Sequence, residues 1–213
     1  MCYITATFYH SVKCREAVPE DFVFRSTSEE TWVIRVESGS LITEKRLLKL
    51  PVNDGEKYGD PANDILKAAV VERHGKNGNI GLGFVQGFGI NSGALATTVA
   101  HDSHNICVIG SSDEDIAAAV NALNRMQGGL VVIRNGEVTA ALPLPIAGLL
   151  TDRPYTEFNA DFQKVMTAAS QTGCVLPEPF YQLSFLALPV IPSLKLTDKG
   201  LFDVDLFQHI LQN

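Results

Sequence analysis

The sequence lacks the cysteine patterns that stabilise small secreted domains or hold structural zinc. Its four cysteines, Cys2, Cys14, Cys107 and Cys174, lie far apart, and no C-x-x-C pair occurs. This spacing argues against both a zinc knuckle and a dense disulfide framework. We therefore expect a protein of a reducing compartment and predict a cytoplasmic location.

Long apolar runs and runs of basic residues are absent as well. No apolar stretch approaches the roughly 20 residues that a membrane helix needs, and the N-terminus shows no signal-peptide pattern. Lysine and arginine number 17 against 24 aspartates and glutamates, which gives a formal net charge of -7. No basic and aromatic ribbon could follow a phosphate backbone, so we expect neither a membrane nor a nucleic acid as a direct partner.

The chain is nevertheless long enough to bury one sizeable core, since it has 213 residues of which 46% are hydrophobic. Residues 1–28 are mixed in composition, and we interpret them as a lead-in or linker segment before a domain at residues 29–213. Within that domain, alternating or apolar segments bounded by turn residues predict strands, at residues 31–36, 41–50, 65–73, 80–90, 91–99 and 106–109. The segments 65–73 and 80–90 flank a turn-like run at residues 75–79, and we predict that they pair as a glycine-rich hairpin.

Two helices and a hairpin are predicted in the second half of the chain. Ser112 precedes three acidic residues and an apolar stripe at helical spacing, and Gly128-Gly129 ends that pattern. A second amphipathic segment covers residues 158–169, and Asn135-Gly136 predicts a tight turn between strands within residues 130–142. Because strands outnumber helices and the hairpins are local, we predict an α+β fold with mainly antiparallel sheets and a few packed helices.

Polar side chains are most concentrated at residues 100–106, Ala-His-Asp-Ser-His-Asn-Ile, between two predicted strands. Our candidate catalytic residues are therefore His101, Asp102, His104 and Asn105. Residues three apart on a strand point to opposite faces, so the two imidazoles converge only if the segment turns, which its composition favours.

A metal site at this segment would need further ligands from elsewhere in the chain. Glu72 and His74, in the run Glu-Arg-His, are the obvious candidates, so the candidate metal ligands are Glu72, His74, His101 and His104. The alternative is a hydrogen-bonded loop whose polar side chains fix the backbone and whose histidines line an interface. In either case, buried polar groups here require partners.

Three other features have simpler explanations. The glycines at positions 81, 83, 87 and 89 form no G-x-G-x-x-G motif, and they favour close approach of another backbone over a nucleotide cradle. The acidic run at residues 113–115 is explained by helix capping. The proline-bounded segment at residues 189–200 is either a rigid strap that docks a partner or an ordinary closure of the domain.

Four separated motifs stand out along the chain: residues 73–89 (RHGKNGNIGLGFVQGFG), 99–106 (VAHDSHNI), 143–149 (PLPIAGL), and 183–192 with 194–200 (LSFLALPVIP, LKLTDKG). Together they closely resemble the C-terminal domain of bacterial-type adenine deaminases of the amidohydrolase superfamily. The resemblance covers about residues 19–207.

The resemblance implies a hydrolase that converts adenine to hypoxanthine and ammonia, with a metal-bound hydroxide attacking C6 of the purine. In that family, manganese or iron is held by an N-terminal (β/α)₈ barrel, in which a His-x-His motif follows the first strand; this sequence lacks that motif. The implied partners are adenine, the barrel as a domain or subunit, and further copies in a homo-oligomer. The isolated chain is then inactive and contributes an interface or a wall near the active site. The alternative is a free-standing module that binds a small molecule or regulates without catalysis of its own.

Overall fold

The computed structural model describes residues 6–210, which form an α+β fold and confirm the predicted class. Its helices are α1 (Asp113–Met126), α2 (Tyr155–Gln171) and α3 (Pro179–Leu186). The strands are β1 (Phe24–Arg25), β2 (Glu30–Arg35), β3 (Glu44–Lys49), β4 (Val52–Asn53), β5 (Glu56–Lys57), β6 (Ile65–Val71), β7 (Ile80–Gln86), β8 (Ala94–Thr97), β9 (Ile106–Gly110), β10 (Gly129–Arg134), β11 (Glu137–Pro143), β12 (Leu194–Thr197), β13 (Gly200–Asp203) and β14 (Gln208–His209).

The centre of the fold is an eight-stranded sheet with the order β11-β10-β8-β9-β6-β7-β2-β3. Neighbouring strands are antiparallel except β2 and β7, which are parallel. Two three-stranded sheets complete the strands, with the orders β1-β5-β4 and β12-β13-β14. The predicted pairing of residues 65–73 with residues 80–90 is confirmed as the β6–β7 hairpin.

Alternating residues of the large sheet pack against two different layers. Along β10, Leu130 and Val132 belong to a core shared with α2, α3, β12 and β13. Val131 and Ile133 belong to a second core, which they share with α1 and the segment around residues 12–22. The strand period of two residues therefore buries both faces of the sheet, as expected when each face is covered by another layer.

The predicted start and end of the first helix are confirmed. The Ser112 side chain accepts a hydrogen bond of 3.2 Å from the backbone N–H of Asp115. The helix is capped at its C-terminus by Gln127, whose backbone is in the left-handed conformation, and the backbone N–H of Gly128 donates to the carbonyl of Leu123. The Asn135-Gly136 turn is also confirmed, since both residues have positive φ between β10 and β11.

The small sheet β12-β13-β14 lies directly on β7. A Cβ atom at Gly81 would overlap the carbonyl oxygen of Thr197, so only glycine allows this approach. The glycine run thus admits a neighbouring backbone, as the sequence favoured. Residues 194–203 form the β12–β13 hairpin of this layer. The end of the proline-bounded segment at residues 189–200 therefore lies in this hairpin, which is the domain-closure alternative for that segment.

Two segments have more structure than their sequence patterns indicate. Helix α3 lies within the apolar, proline-bounded stretch after residue 177, where no helix was predicted. Val12, Ala17 and Phe22, in the predicted lead-in, are buried against α1. The division of the chain at residue 28 stays a prediction. Among residues 6–210, no helix is long and apolar enough to cross a membrane.

Candidate functional site

The segment that joins β8 to β9 turns as its composition predicts. The backbone N–H of His104 donates to the carbonyl of Ala100 at 2.7 Å, and His104 itself has a φ of 50°. The N–H of His101 donates to Ser184 of α3 at 3.1 Å. This turn brings the rings of His101 and His104 to a centroid distance of 6.1 Å. We call residues 100–105 the histidine loop.

Arg73, which follows β6, supports the histidine loop through a hydrogen bond to its backbone. Its side chain is only 1% exposed, and its Nε donates to the carbonyl of His104. The same guanidinium donates to the carbonyl and hydroxyl of Ser11, at 3.2 and 3.1 Å, and to the carbonyl of Ala147 at 2.9 Å. One buried cation therefore links four segments of the chain through neutral acceptors, and its burial lowers the pKa of the guanidinium.

Glu72 organises the loop that follows Arg73. One carboxylate oxygen accepts from the N–H of His74 at 2.6 Å, and the other accepts from three N–H groups, those of Lys76, Asn77 and Gly78. Burial alone would raise the pKa of Glu72, but these four hydrogen bonds outweigh it and hold the pKa below its ordinary value. Glu72 is thus an ionised cap of its own loop.

His74 connects the Glu72 loop to the histidine loop. Its Nε2 lies 2.8 Å from the carbonyl oxygen of Ser103, and this nitrogen acts as the donor because a carbonyl only accepts. Asp102 and Ser103 are exposed at the tip, whereas Asn105 is buried. The structure therefore brings His74, His101 and His104 to one surface and turns the Glu72 carboxylate toward its own backbone.

These residues do not fit a metal ion. Within residues 6–210, no three or more histidine, cysteine, aspartate or glutamate side chains are arranged to hold one. Both oxygens of Glu72 and the Nε2 of His74 are engaged by the backbone, so the two further ligands that the sequence suggested are already used. The geometry supports the alternative of a hydrogen-bonded loop with histidines at a surface.

Two buried polar atoms of the histidine loop have no hydrogen-bond partner among the described residues, the Nδ1 of His104 and the Oδ1 of Asn105. Burial lowers the pKa of His104, and the positive charge of Arg73 lowers it further. A proton on Nδ1 would find no acceptor, so the neutral tautomer with its proton on Nε2 is favoured. His104 therefore offers a neutral hydrogen-bond donor.

An aromatic row extends the site along α3. The ring of His101 lies 4.5 Å from that of Phe185, which lies 4.8 Å from that of Tyr181. A cavity of about 430 Å³ opens beside this row, between the sheet and helices α2 and α3, and His101 forms part of its wall.

Sequence reasoning missed Arg73, Phe185 and Tyr181 as parts of the site. Arg73 and Phe185 lie inside the family-like segments, but neither follows a spacing that indicates chemistry. They join the site only because β6 and α3 end beside the histidine loop.

Known proteins show where this chain has relatives. Residues 40–208 match the family described as adenine deaminase C-terminal domain. The chain is 50% identical over 201 residues to the adenine deaminase of Brucella abortus (strain 2308), a match that covers 94% of this chain and 35% of the relative. For the adenine deaminase of Brucella anthropi the identity is 52% over 201 residues, covering 94% and 36%. For adenine deaminase 1 of Rhizobium meliloti (strain 1021) it is 50% over 200 residues, covering 94% and 35%. The chain spans about a third of the length of these curated relatives.

Proposed function

The chain belongs to the adenine deaminase C-terminal domain family, and we propose that its histidine loop faces the catalytic part of a complete adenine deaminase. The complete enzyme would hydrolyse adenine to hypoxanthine and ammonia. The catalytic part would be an amidohydrolase barrel, on the same polypeptide or on another, and would hold the manganese or iron. No metal ligand is assigned to this chain, because Glu72 and the Nε2 of His74 are engaged by backbone groups and residues 6–210 contain no group of three or more suitable ligands.

The observation that carries this proposal is a polar loop whose two imidazoles form no hydrogen bonds through their ring nitrogens within residues 6–210. Arg73 fixes the backbone of the loop. Within residues 6–210, neither ring nitrogen of His101 forms a hydrogen bond, and the favoured tautomer of His104 offers an Nε2–H donor. An arginine buried among carbonyls is a costly support, which suits a loop whose position matters to a partner.

In this arrangement the chain's residues position groups and hold protons. His104 would donate a hydrogen bond from Nε2 to a polar group of the facing catalytic part, and His101 would offer one donor and one acceptor beside it. Asp102, exposed at the tip, would meet a donor or a cation across the interface. Arg73 would act through the loop as a positioning residue.

The test is a chimeric enzyme in which this chain replaces the matching 201 residues of the Brucella anthropi adenine deaminase. With added manganese or iron, the chimera should release ammonia from adenine. Arg73→Met should lower its turnover on the order of 100-fold, because displacing a supporting loop misplaces the groups that it carries. The matched control is Arg134→Met, whose side chain is exposed at the end of β10.

Bound metal is measured in the same samples. Full metal content with reduced turnover in the Arg73→Met chimera supports a positioning role. Full turnover in that variant, or an inactive parent chimera, would contradict the proposal. Loss of metal from His101→Ala or His104→Ala would show ligation instead of an interface.

A cytoplasmic location of the complete enzyme is part of this proposal. Cys14, Cys107 and Cys174 are free thiols, and burial raises the pKa of Cys107 to about 12. A thiol held in this protonated state is inert toward oxidation. A homo-oligomer remains a prediction of the family resemblance alone.

A further inference from the structure

The cavity beside the histidine loop has the chemistry of a docking site for apolar groups. Its volume is about 430 Å³, and its walls come from the ends of β8, β10 and β11 and from helices α2 and α3. Aromatic and leucine side chains dominate the lining, among them Phe158, Phe162, Phe180, Leu142 and Leu144. A space of this size and composition accommodates a few apolar side chains.

Among residues 6–210, no lysine, arginine, aspartate or glutamate lines this cavity. Four other cavities of the described chain each have at least one such residue, for example Lys199, Glu72, Lys164 and Glu178. Two hydroxyl groups in the lining already bond to the nearby backbone. The Thr97 hydroxyl accepts from the N–H of Val99, and the Ser184 hydroxyl donates to the backbone carbonyl of Tyr181. A charged occupant would lose its hydration without finding an oppositely charged side chain in this lining, so the occupant is uncharged.

Large apolar side chains also stand exposed at the mouth of the cavity. Leu150 is 63% exposed and Tyr181 is 49% exposed, and both belong to the lining. Exposed apolar groups around an apolar concavity mark an interaction surface. His101 belongs both to this lining and to the histidine loop, so a partner that covers the loop also reaches the opening of the cavity.

We propose that the cavity receives an apolar, uncharged segment of the catalytic part of the enzyme, which anchors that part over the histidine loop. This inference rests on the proposed function. The chain spans about a third of its relatives, so most of their length lies outside it and is available as the occupant. In this arrangement the cavity supplies binding energy through burial of apolar surface, and the adjacent loop supplies polar contacts that fix orientation.

Hydrogen exchange compares the isolated chain with the chimeric enzyme described above. In the chimera, backbone amides at residues 149–151 and 181–185 should exchange roughly tenfold or more slowly than in the isolated chain. Leu150→Lys should remove most of this protection, because the anchoring segment would have to bury an unpaired ammonium group. Leu150 is exposed in the domain, so the substitution should leave the folding of the isolated chain intact, as its circular dichroism would show.

Leu206→Lys is the matched control. Leu206 is 64% exposed, is also a leucine, and lies between β13 and β14, outside the cavity. This variant should retain the protection at the mouth. Equal exchange at the mouth in chimera and isolated chain, or equal effects of the two substitutions, would overturn the proposal.

Two further outcomes would assign the cavity to another occupant and overturn the proposal. One is an isolated chain that sediments as a dimer and that Leu150→Lys converts to monomer, which indicates a second copy. The other is a small molecule bound to the isolated chain in native mass spectrometry and lost from Leu150→Lys. Protection of residues 101–104 without protection at the mouth would contradict the anchoring role alone, whereas an inactive chimera contradicts the proposed function itself.

Discussion

At the scale of single residues, the site depends on a buried cation and a neutral imidazole that lie next to each other. Arg73 contacts the carbonyl of His104, and its charge opposes protonation of the His104 ring. The other titratable groups around this ring are His101 and Asp102 of the same loop and His74 from the neighbouring loop, with Asp102 acting in the opposite direction. His104 is therefore neutral in the folded protein at pH values where a free histidine starts to protonate.

This difference predicts how stability depends on pH. The imidazole of an unfolded chain titrates near about 6.5, and the pKa of His104 is lower in the folded protein. Between those two values the unfolded chain binds more protons, so stability is complete above the unfolded pKa and falls as the pH drops below it. His104→Gln should lose less stability than the wild type between about pH 7.5 and about pH 5, measured by urea denaturation.

His10→Gln is the control for this measurement, because His10 is exposed near the N-terminus. It should keep the pH dependence of the wild type. Identical losses of stability in His104→Gln and the wild type would show that this ring does not protonate preferentially in the unfolded chain.

At the scale of elements, the contact between β7 and the β12–β13 hairpin fixes one side of the layer formed by α2, α3, β12 and β13. Gly81 faces the backbone of that hairpin, with the carbonyl oxygen of Thr197 in the place that a Cβ atom would take. Gly83 faces side chains instead, and a Cβ atom there would lie 3.0 Å from Leu201 and 3.2 Å from Leu196. The same strand thus offers a rigid and an adaptable contact two residues apart.

Alanine at these glycines should therefore have unequal effects. Gly81→Ala has to displace backbone and should destabilise the protein by roughly 3 kcal/mol, whereas Gly83→Ala displaces the ends of leucine side chains and should cost about 1 kcal/mol. The free energies of unfolding from urea titration give the comparison. Equal costs would mean that the hairpin does not rest on the backbone of β7.

At the scale of the whole molecule, residues 12–22, before β1, complete the layer that α1 forms on one face of the large sheet. Phe22 is fully buried and belongs to the core that includes α1. The Asn121 side chain of α1 exchanges two hydrogen bonds of 2.8 Å with the backbone of Ala17. Ser11, in the same segment, accepts from Arg73, so this segment also touches the support of the histidine loop.

Loss of that cover should weaken the whole fold. Phe22→Ala should destabilise the full chain by roughly 3–5 kcal/mol, because it leaves a cavity under α1. Val18→Ala, in the same segment but 44% exposed, should change stability by less than about 0.5 kcal/mol.

A chain restricted to residues 29–213 should lose the cooperative unfolding transition of the full chain, and an unchanged transition would confirm residues 1–28 as a linker.

Much of the fold could be predicted from local sequence. The cap at Ser112, the apolar stripe of α1, the Asn135-Gly136 turn and the β6–β7 hairpin each depend on residues a few positions apart, and each is confirmed. Helix α3 was not predicted, because its residues are buried nearly all round and show no amphipathic period. The histidine loop was identified as the candidate site because its polar residues are consecutive.

The sequence by itself thus determined the α+β class, the main local elements, the position of the histidine loop and the resemblance to the adenine deaminase C-terminal domain. Only the tertiary structure decided which residues serve the loop. Arg73 lies 31 positions before His104, and the carbonyl of Ser184, in helix α3, accepts from the backbone N–H of His101. The apolar cavity beside His101 likewise arises from chain segments brought together by packing. Propensity, capping and periodicity act over a few residues, whereas these contacts depend on which layers the hydrophobic core places side by side.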